Sequence, residues 1–305
     1  MGVISGDPAA LRRWGWATLI ANVGLIVTGG AVRLTGSGLG CPTWPKCTTD
    51  SYVPHDALGI NGAIEFGNRT LTFVLAAIAI GTFLAVRRSP RTDLRPLALI
   101  LGLSIPGQAA LGGVTVLSEL NPWVVSLHLM WSMVIVALAV TFLQRVSRPP
   151  AIEATTGRAL PEVQPALAGQ LTLIRGIAVA AYAAVWVVVY VGTIVTGSGP
   201  HAGDADARRN GFDPEKVSQL HADAVFLLVG LTIGWLVVTQ LLGLTAARTA
   251  VVALLVVELA QGVVGYAQYF NDLPIVLVGL HMLGAAVLVA VGTEAWLRTK
   301  SLRTG

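Results

Sequence analysis

The sequence has few charged residues. Asp, Glu, Lys and Arg make up 12% of its 305 residues, whereas 54% are hydrophobic. A soluble domain carries about twice that share of charge on its surface. The scarcity of charge excludes an ordinary water-soluble globular protein. The sequence also has no basic segment interleaved with aromatic residues, so the net charge of +4 does not indicate a nucleic-acid partner.

Long apolar runs take the place of the missing charge. Eight runs reach the length of about 20 residues that crosses a bilayer, and they start near Trp14, Thr70, Pro96, Pro122, Ile174, Leu220, Ala246 and Pro274. They predict an all-α integral membrane protein with eight transmembrane helices. The first run is too long for a signal peptide and has no suitably placed cleavage site, so we expect it to be retained.

The basic residues predict the orientation, since short cytoplasmic loops retain Lys and Arg. With both termini in the cytoplasm, only six basic residues lie outside, namely Arg33, Lys46, Arg69, Arg208, Arg209 and Lys216. We therefore expect a multi-pass protein of the plasma (inner) membrane with cytoplasmic termini.

Both cysteines, Cys41 and Cys47, lie in the first external loop. That compartment is oxidising, so a disulfide between them is expected. Two free thiols and a transient metal-binding pair are the alternatives.

The chain contains an internal repeat. Asn68 and His221 are 153 residues apart, as are His128 and His281, Gln108 and Gln261, and Gly112 and Gly265, while Thr35-Gly36-Ser37-Gly38 recurs 161 residues later. The repeat predicts two tandem, pseudo-symmetric four-helix bundles: an N-terminal half (1–145), a cytoplasmic linker (146–170) rich in Pro, Ala and Thr, and a C-terminal half (171–305). The matched positions include ionisable residues within apolar spans, which usually mark a functional site.

Histidines at similar depth near the external face are the strongest candidates for chemistry. His221 opens the sixth predicted helix and His281 lies in the outer half of the eighth. Two imidazoles facing each other across a bundle form a standard axial pair for haem iron. A lone buried histidine is more often a hydrogen-bonded core residue, and the repeat is what favours a ligand pair here.

The first half has an incomplete set of the same ligands. His128 is the counterpart of His281, but Asn68 replaces His221, and an amide is a poor ligand for haem iron. We expect a haem held by one histidine there, with an open or water-occupied face, as a catalytic site requires. Glu65 lies in the first turn of the second predicted helix, on the face of Asn68, where it either has a chemical role or complements the helix dipole.

The remaining polar candidates lie on the external side. Arg69 and Arg33 are available for haem propionates, although interfacial snorkelling explains each equally well. His55 and His201 are interpreted as solvated loop residues.

These residues resemble the haem A synthase family, integral-membrane enzymes that convert haem O to haem A for cytochrome c oxidase. The resemblance covers essentially the whole chain and rests on the run from Gly29 to Pro42, on Glu65 to Arg69, and on the three histidines. It implies oxidation of the C8 methyl group of haem O to a formyl group, with the electrons leaving through the enzyme.

The resemblance also implies roles for individual residues. A resident haem b would lie in the second half, and haem O would bind to His128 in the first half, with Glu65 as the acidic residue of the catalytic pocket. The Cys41–Cys47 bridge would match the paired loop cysteines of many members. Asn68 departs from the family pattern, which often has histidine there. The implied partners are the lipid bilayer, haem O, haem O synthase and cytochrome c oxidase assembly factors.

Two other functions use the same features. A dihaem b-type cytochrome that relays electrons from quinol would have the same histidines, but it would favour two six-coordinate haems. A transporter is disfavoured because four helices per half make the repeat parallel, and no charged broken helices lie at the midplane.

Overall fold

The computed structural model describes residues 5–147, 162–163 and 168–304. Within that part of the chain eight long helices are present: α1 (Pro8–Leu34), α2 (Gly59–Arg87), α3 (Arg95–Leu117), α4 (Pro122–Val146), α5 (Ala168–Ser198), α6 (Pro214–Leu241), α7 (Thr245–Tyr269) and α8 (Ile275–Lys300). All eight are long and apolar enough to cross a membrane. The prediction of an all-α protein with eight spans is confirmed.

Short elements connect these helices. Single 3-10 turns precede α2 (Asp56–Leu58) and α3 (Thr92–Leu94), and two-residue strands β1 (Glu162–Val163) and β2 (Arg303–Thr304) pair in parallel. Most of the predicted linker, residues 148–161 and 164–167, lies outside the described residues.

Two helices begin well before their apolar runs. α2 begins at Gly59, so Glu65 lies in its second turn and not in the first. α6 begins at Pro214, where Asp213 accepts a hydrogen bond from the backbone N–H of Glu215 at 2.9 Å. His221 therefore lies two turns inside α6 and does not open it. Hydropathy missed both starts because the first turns carry polar residues.

The helix contacts form two rings. In the first half α1 contacts α2 and α4, and α3 contacts both of these as well; in the second half α5 contacts α6 and α8, and α7 contacts these two in the same way. The rings meet through α1, α4, α5 and α8. The division of the chain into two bundles with the bounds given above stays a prediction.

Each bundle has two distinguishable ends. We call the end that carries the Cys41–Cys47 loop the disulfide end, and the end where α1 begins and α8 finishes the terminal end. The halves are joined at the disulfide end by backbone hydrogen bonding between Gly38 and Gly203 (2.8 Å) and by Arg33, which donates to the carbonyls of His201 (2.7 Å) and Thr196 (2.9 Å).

The outer surface of the bundle is apolar. Phe73 is 76% exposed and Leu241 is 78% exposed, while Phe142, Ile174 and Leu254 pack in a core shared by both halves. Extensive apolar surface of this kind marks contact with lipid or with another protein, and here it lies on helices long and apolar enough to cross a membrane. The chain is therefore a multi-pass membrane protein.

Candidate functional site

His221 and His281 face each other in the second half. Their ring centroids are 6.3 Å apart and the ring planes are inclined by 74°. An imidazole nitrogen binds a metal at about 2 Å, so two axial imidazoles with a metal between them have ring centres about 6 Å apart. The observed separation fits one haem iron between the two rings.

Each of the three candidate histidines packs against a glycine of the preceding helix. A Cβ added at Gly192 of α5 would lie 3.1 Å from Cε1 of His221, and the corresponding distances are 3.3 Å for Gly112 and His128 and 3.5 Å for Gly265 and His281. The last two pairs are related by 153 residues, as the repeat predicts. A methyl group at Gly192 or Gly112 would press against the facing ring, whereas one at Gly265 would make ordinary contact with His281. The first two glycines therefore limit where the rings can lie.

The three imidazoles have unused binding capacity. Nδ1 of each ring is buried without a hydrogen-bond partner in the described part of the chain. A buried polar atom without a partner is costly and calls for a ligand or ion. No three His, Cys, Asp or Glu side chains of the described residues come together around a bare metal ion. A haem iron fits better, because the porphyrin supplies four of its ligands.

Asn68 lies at the fourth equivalent position. Its Oδ1 accepts a hydrogen bond from Thr28 of α1 at 2.8 Å, and the nearest glycine, Gly29, would bring a Cβ only to 4.0 Å from its Nδ2. Asn68 thus faces a glycine of the preceding helix, as each of the three histidines does, but at a larger distance. Gly29 and Gly192 are 163 residues apart, whereas the Thr-Gly-Ser-Gly motif recurs after 161 residues. The two offsets that relate the first helices of the halves therefore differ by two residues. In the first half the motif begins directly after the last residue of α1. In the second half its first three residues still belong to α5, which ends at Ser198.

Glu65 and Arg69 hold the disulfide loop onto α2. Glu65 is 5% exposed; its Oε2 accepts from the Cys41 N–H at 2.6 Å, and its Oε1 accepts from Arg69 Nη2 at 2.5 Å and Nε at 3.1 Å. Arg69 also donates to the carbonyls of Thr43 (2.9 Å), Lys46 (3.3 Å) and Cys41 (2.8 Å). All five guanidinium N–H groups are thus engaged within the protein.

The loop itself is closed by a disulfide between Cys41 and Cys47, as predicted. The ring of Trp44, between these cysteines, lies directly over the backbone of Gly113. Gly113 follows the glycine that contacts His128. The loop therefore covers α3 next to the first-half histidine.

The other basic and histidine candidates have partners of their own. Arg33 binds carbonyls of the second half, as described above, so it joins the two halves. His55 is exposed, as predicted. The prediction for His201 is wrong: it is partly buried, and its Nε2 lies 2.9 Å from the carbonyl oxygen of Leu273. Its surroundings are the packed loops at the disulfide end.

Sequence reasoning missed two groups of residues. The glycines Gly192, Gly112 and Gly265 contact the histidines, and the 153-residue match of the last two was the available signal. Glu258, a carboxylate within an apolar span, is 3% exposed and was overlooked although its position alone makes it a candidate.

Eight apolar spans with buried, unpartnered imidazoles at repeated positions define a multi-pass membrane protein built to hold a planar cofactor between helices. The model of the family described as cytochrome oxidase assembly protein (COX15-CtaA) matches residues 12–293. The chain belongs to this family. A protein named haem A synthase from Shewanella oneidensis is 29% identical over 153 residues, which are 45% of this chain and 46% of that protein. The match thus spans about half the length of this relative.

Proposed function

We propose that this protein is a haem A synthase that oxidises the C8 methyl group of haem O to a formyl group. The observation that carries the proposal is the set of four equivalent side-chain positions, three with an unpartnered imidazole and one with Asn68. The family membership and the name of the partial relative support the same activity.

The second half, from 171 to 305, is proposed to hold a resident haem b between His221 and His281. Such a haem supplies one-electron redox chemistry. The protein's part is to fix two imidazoles at the separation that one iron needs, against Gly192 and Gly265. A closed, six-coordinate site of this kind suits electron transfer.

The first half, from 1 to 145, is proposed to bind the substrate haem O through His128. Asn68 occupies the opposite ligand position and is tied to Thr28, so it does not compete for iron. One face of the substrate is then free of a protein ligand, which leaves room for reaction at its periphery. Arg33 and Arg69 remain candidates for propionate contacts, but each would have to exchange a carbonyl or carboxylate partner to make them.

Glu65 is proposed to act in this first-half site. Both of its oxygens accept hydrogen bonds, so in the resting structure it holds the Cys41–Cys47 loop over α3. Oε1 accepts two hydrogen bonds and Oε2 accepts the one from Cys41, so Oε2 keeps one lone pair, and opening of the Cys41 bond would expose the carboxylate further. Movement of the loop and availability of the carboxylate are thereby linked.

The orientation remains a proposal from the basic residues. Arg87, Arg145 and Arg298 lie near the terminal end, which we assign to the cytoplasm, and the disulfide end then faces outward. The plasma membrane is the proposed location. Haem O synthase and oxidase assembly factors are the proposed partners.

The deciding experiment is pigment extraction from cells that express the protein together with a haem O source. We expect haem A in the extract of the wild type and none without the protein. His128→Ala should abolish haem A but keep a low-spin haem b signal, whereas His221→Ala should remove that signal. Haem b in two low-spin sites with no haem A would favour the electron-relay cytochrome and overturn the proposal.

A further inference from the structure

Glu258 is a carboxylate near the middle of α7, inside the second bundle. Its Oε1 accepts a hydrogen bond from Thr232 of α6 at 2.8 Å, and its Oε2 is buried without a partner. The ion pairs in the described part of the chain join Arg69 to Glu65, Arg91 to Asp93 and Arg298 to Glu294, so no cation compensates it. A carboxylate is retained at such a cost usually because it has a function.

The helices packed against α7 bring no other charge to this carboxylate. On α6 the titratable groups lie toward the disulfide end, from Glu215 to Asp223, and include His221. On α8 His281 lies toward the disulfide end, while Glu294, paired with Arg298, and Lys300 lie toward the terminal end. The hydrogen bond from Thr232 is the polar contact of Glu258 in the described part of the chain.

Glu258 is on the helix face that leads to the histidine pair. Gln261 and Gly265 follow it by three and seven residues, so all three lie on one face of α7. Gly265 contacts the His281 ring. Seven residues of α-helix span about 10 Å, which puts Glu258 on the terminal side of the iron position and close enough for a charge interaction through a low-dielectric interior.

Glu258 has no carboxylate counterpart in the first half. Five buried polar residues of the second half lie toward the terminal end, namely Thr232, Thr239, Glu258, Thr293 and Thr299, and the residues 153 positions earlier are apolar, namely Ala79, Val86, Ile105, Val140 and Val146. The first half has buried polar residues of its own toward this end, Thr18, Thr82 and Ser104, but these are hydroxyl groups. A buried carboxylate at this position is therefore not a requirement of the shared bundle.

We propose that Glu258 is a proton-binding site coupled to the haem held by His221 and His281. Glu258 takes up one proton when one electron reduces this haem and releases it when the electron leaves for a one-electron acceptor. In the test the electron comes from a chemical reductant, and the bond that changes at Glu258 is the carboxyl O–H bond, which forms on reduction of the haem and breaks on its reoxidation. This inference rests on the proposed function.

The test is a redox titration of the haem in the purified holoprotein at several pH values. A tenfold change in proton concentration corresponds to 59 mV for a one-electron couple, so we expect the wild-type midpoint potential to fall by about that amount per pH unit across the range where Glu258 titrates. Glu258→Gln should remove this slope. Glu294→Gln, which deletes another carboxylate of the same half, should retain it.

Infrared spectroscopy provides a second measurement that does not depend on the Gln variant binding haem. The reduced-minus-oxidised spectrum of the wild type should contain a carboxylic acid carbonyl band, and Thr232→Val should shift this band by removing its hydrogen bond. A low-spin haem with no pH-dependent potential and no such band overturns the proton site alone. Absence of the low-spin haem from the wild type overturns the proposed function as well.

Discussion

Replacing Gly192 by alanine tests whether the glycines position the histidine ligands. The new Cβ would lie 3.1 Å from Cε1 of His221, which is closer than ordinary van der Waals contact, so the ring must move by a few tenths of an ångström. Overpacking of this kind costs about 1–3 kcal/mol. The higher helix propensity of alanine offsets up to about 1 kcal/mol of that. With the full offset the net loss should be at most about 2 kcal/mol, which is at most about a 30-fold change in an equilibrium constant.

The loss should appear in haem binding and not only in folding, because the displaced ring is the proposed ligand. We expect weaker haem b affinity and altered low-spin signals in the absorption and electron paramagnetic resonance spectra of Gly192→Ala. Gly176→Ala is the matched control, since it lies on the same helix and an added Cβ there meets nothing within 4 Å. Gly265→Ala should be nearly neutral, since its contact of 3.5 Å is ordinary.

The ordering of these variants is the informative result. If Gly192→Ala and Gly176→Ala bind haem equally well and give the same spectra, the His221 ring is not fixed by contact with α5. The glycine would then be required only for helix packing and would not position the histidine ligand.

Three further predictions concern the first half. Asn68→His should add a second low-spin species when haem O is supplied, because Gly29 leaves space for a ring there; an unchanged spectrum of the haem O-loaded protein would mean that Asn68 does not face the iron. Glu65→Gln should greatly reduce haem A formation while haem b is retained, because removal of one partner from a buried ion pair costs about 3–5 kcal/mol and loosens the loop; unchanged haem A in extracts would refute this. Cys47→Ser should lower haem A yield and make the loop cleavable by protease, with the low-spin haem b spectrum unaltered; equal protease resistance in variant and wild type would contradict it.

The spans and the repeat could be predicted because both depend on local composition. Twenty apolar residues in succession have few alternatives to a membrane helix, and the 153-residue offset can be read by aligning Gln108, Gly112 and His128 with their counterparts. The helix starts could not be read in this way. The first turns of α2 and α6 are polar, and only capping by Asp213 and the loop contacts of Glu65 stabilise them there.

The partners of the charged residues could not be predicted from the sequence. Arg69 was expected either to be available for a propionate or to snorkel to the interface, but two of its hydrogen bonds go to Glu65 and three go to loop carbonyls that lie 23 to 28 residues away in the chain. Arg33 contacts residues more than 160 positions away. Pairings across such separations depend on how loops fold over helix ends, and no periodicity in the sequence encodes them.

In both halves a histidine ring or the Asn68 amide lies next to a glycine of the preceding helix. The halves differ in their other polar residues. In the first half the distinctive residues lie at the disulfide end: Glu65 where the second half has Ser218, and Asn68 where it has His221. In the second half the distinctive residue lies toward the terminal end, where Glu258 replaces Ile105. A repeat retained only for packing has no reason to bury a carboxylate without a cation in one copy alone. The divergence follows if the first half reacts with a substrate under the disulfide loop while the second half exchanges electrons and protons from the other side.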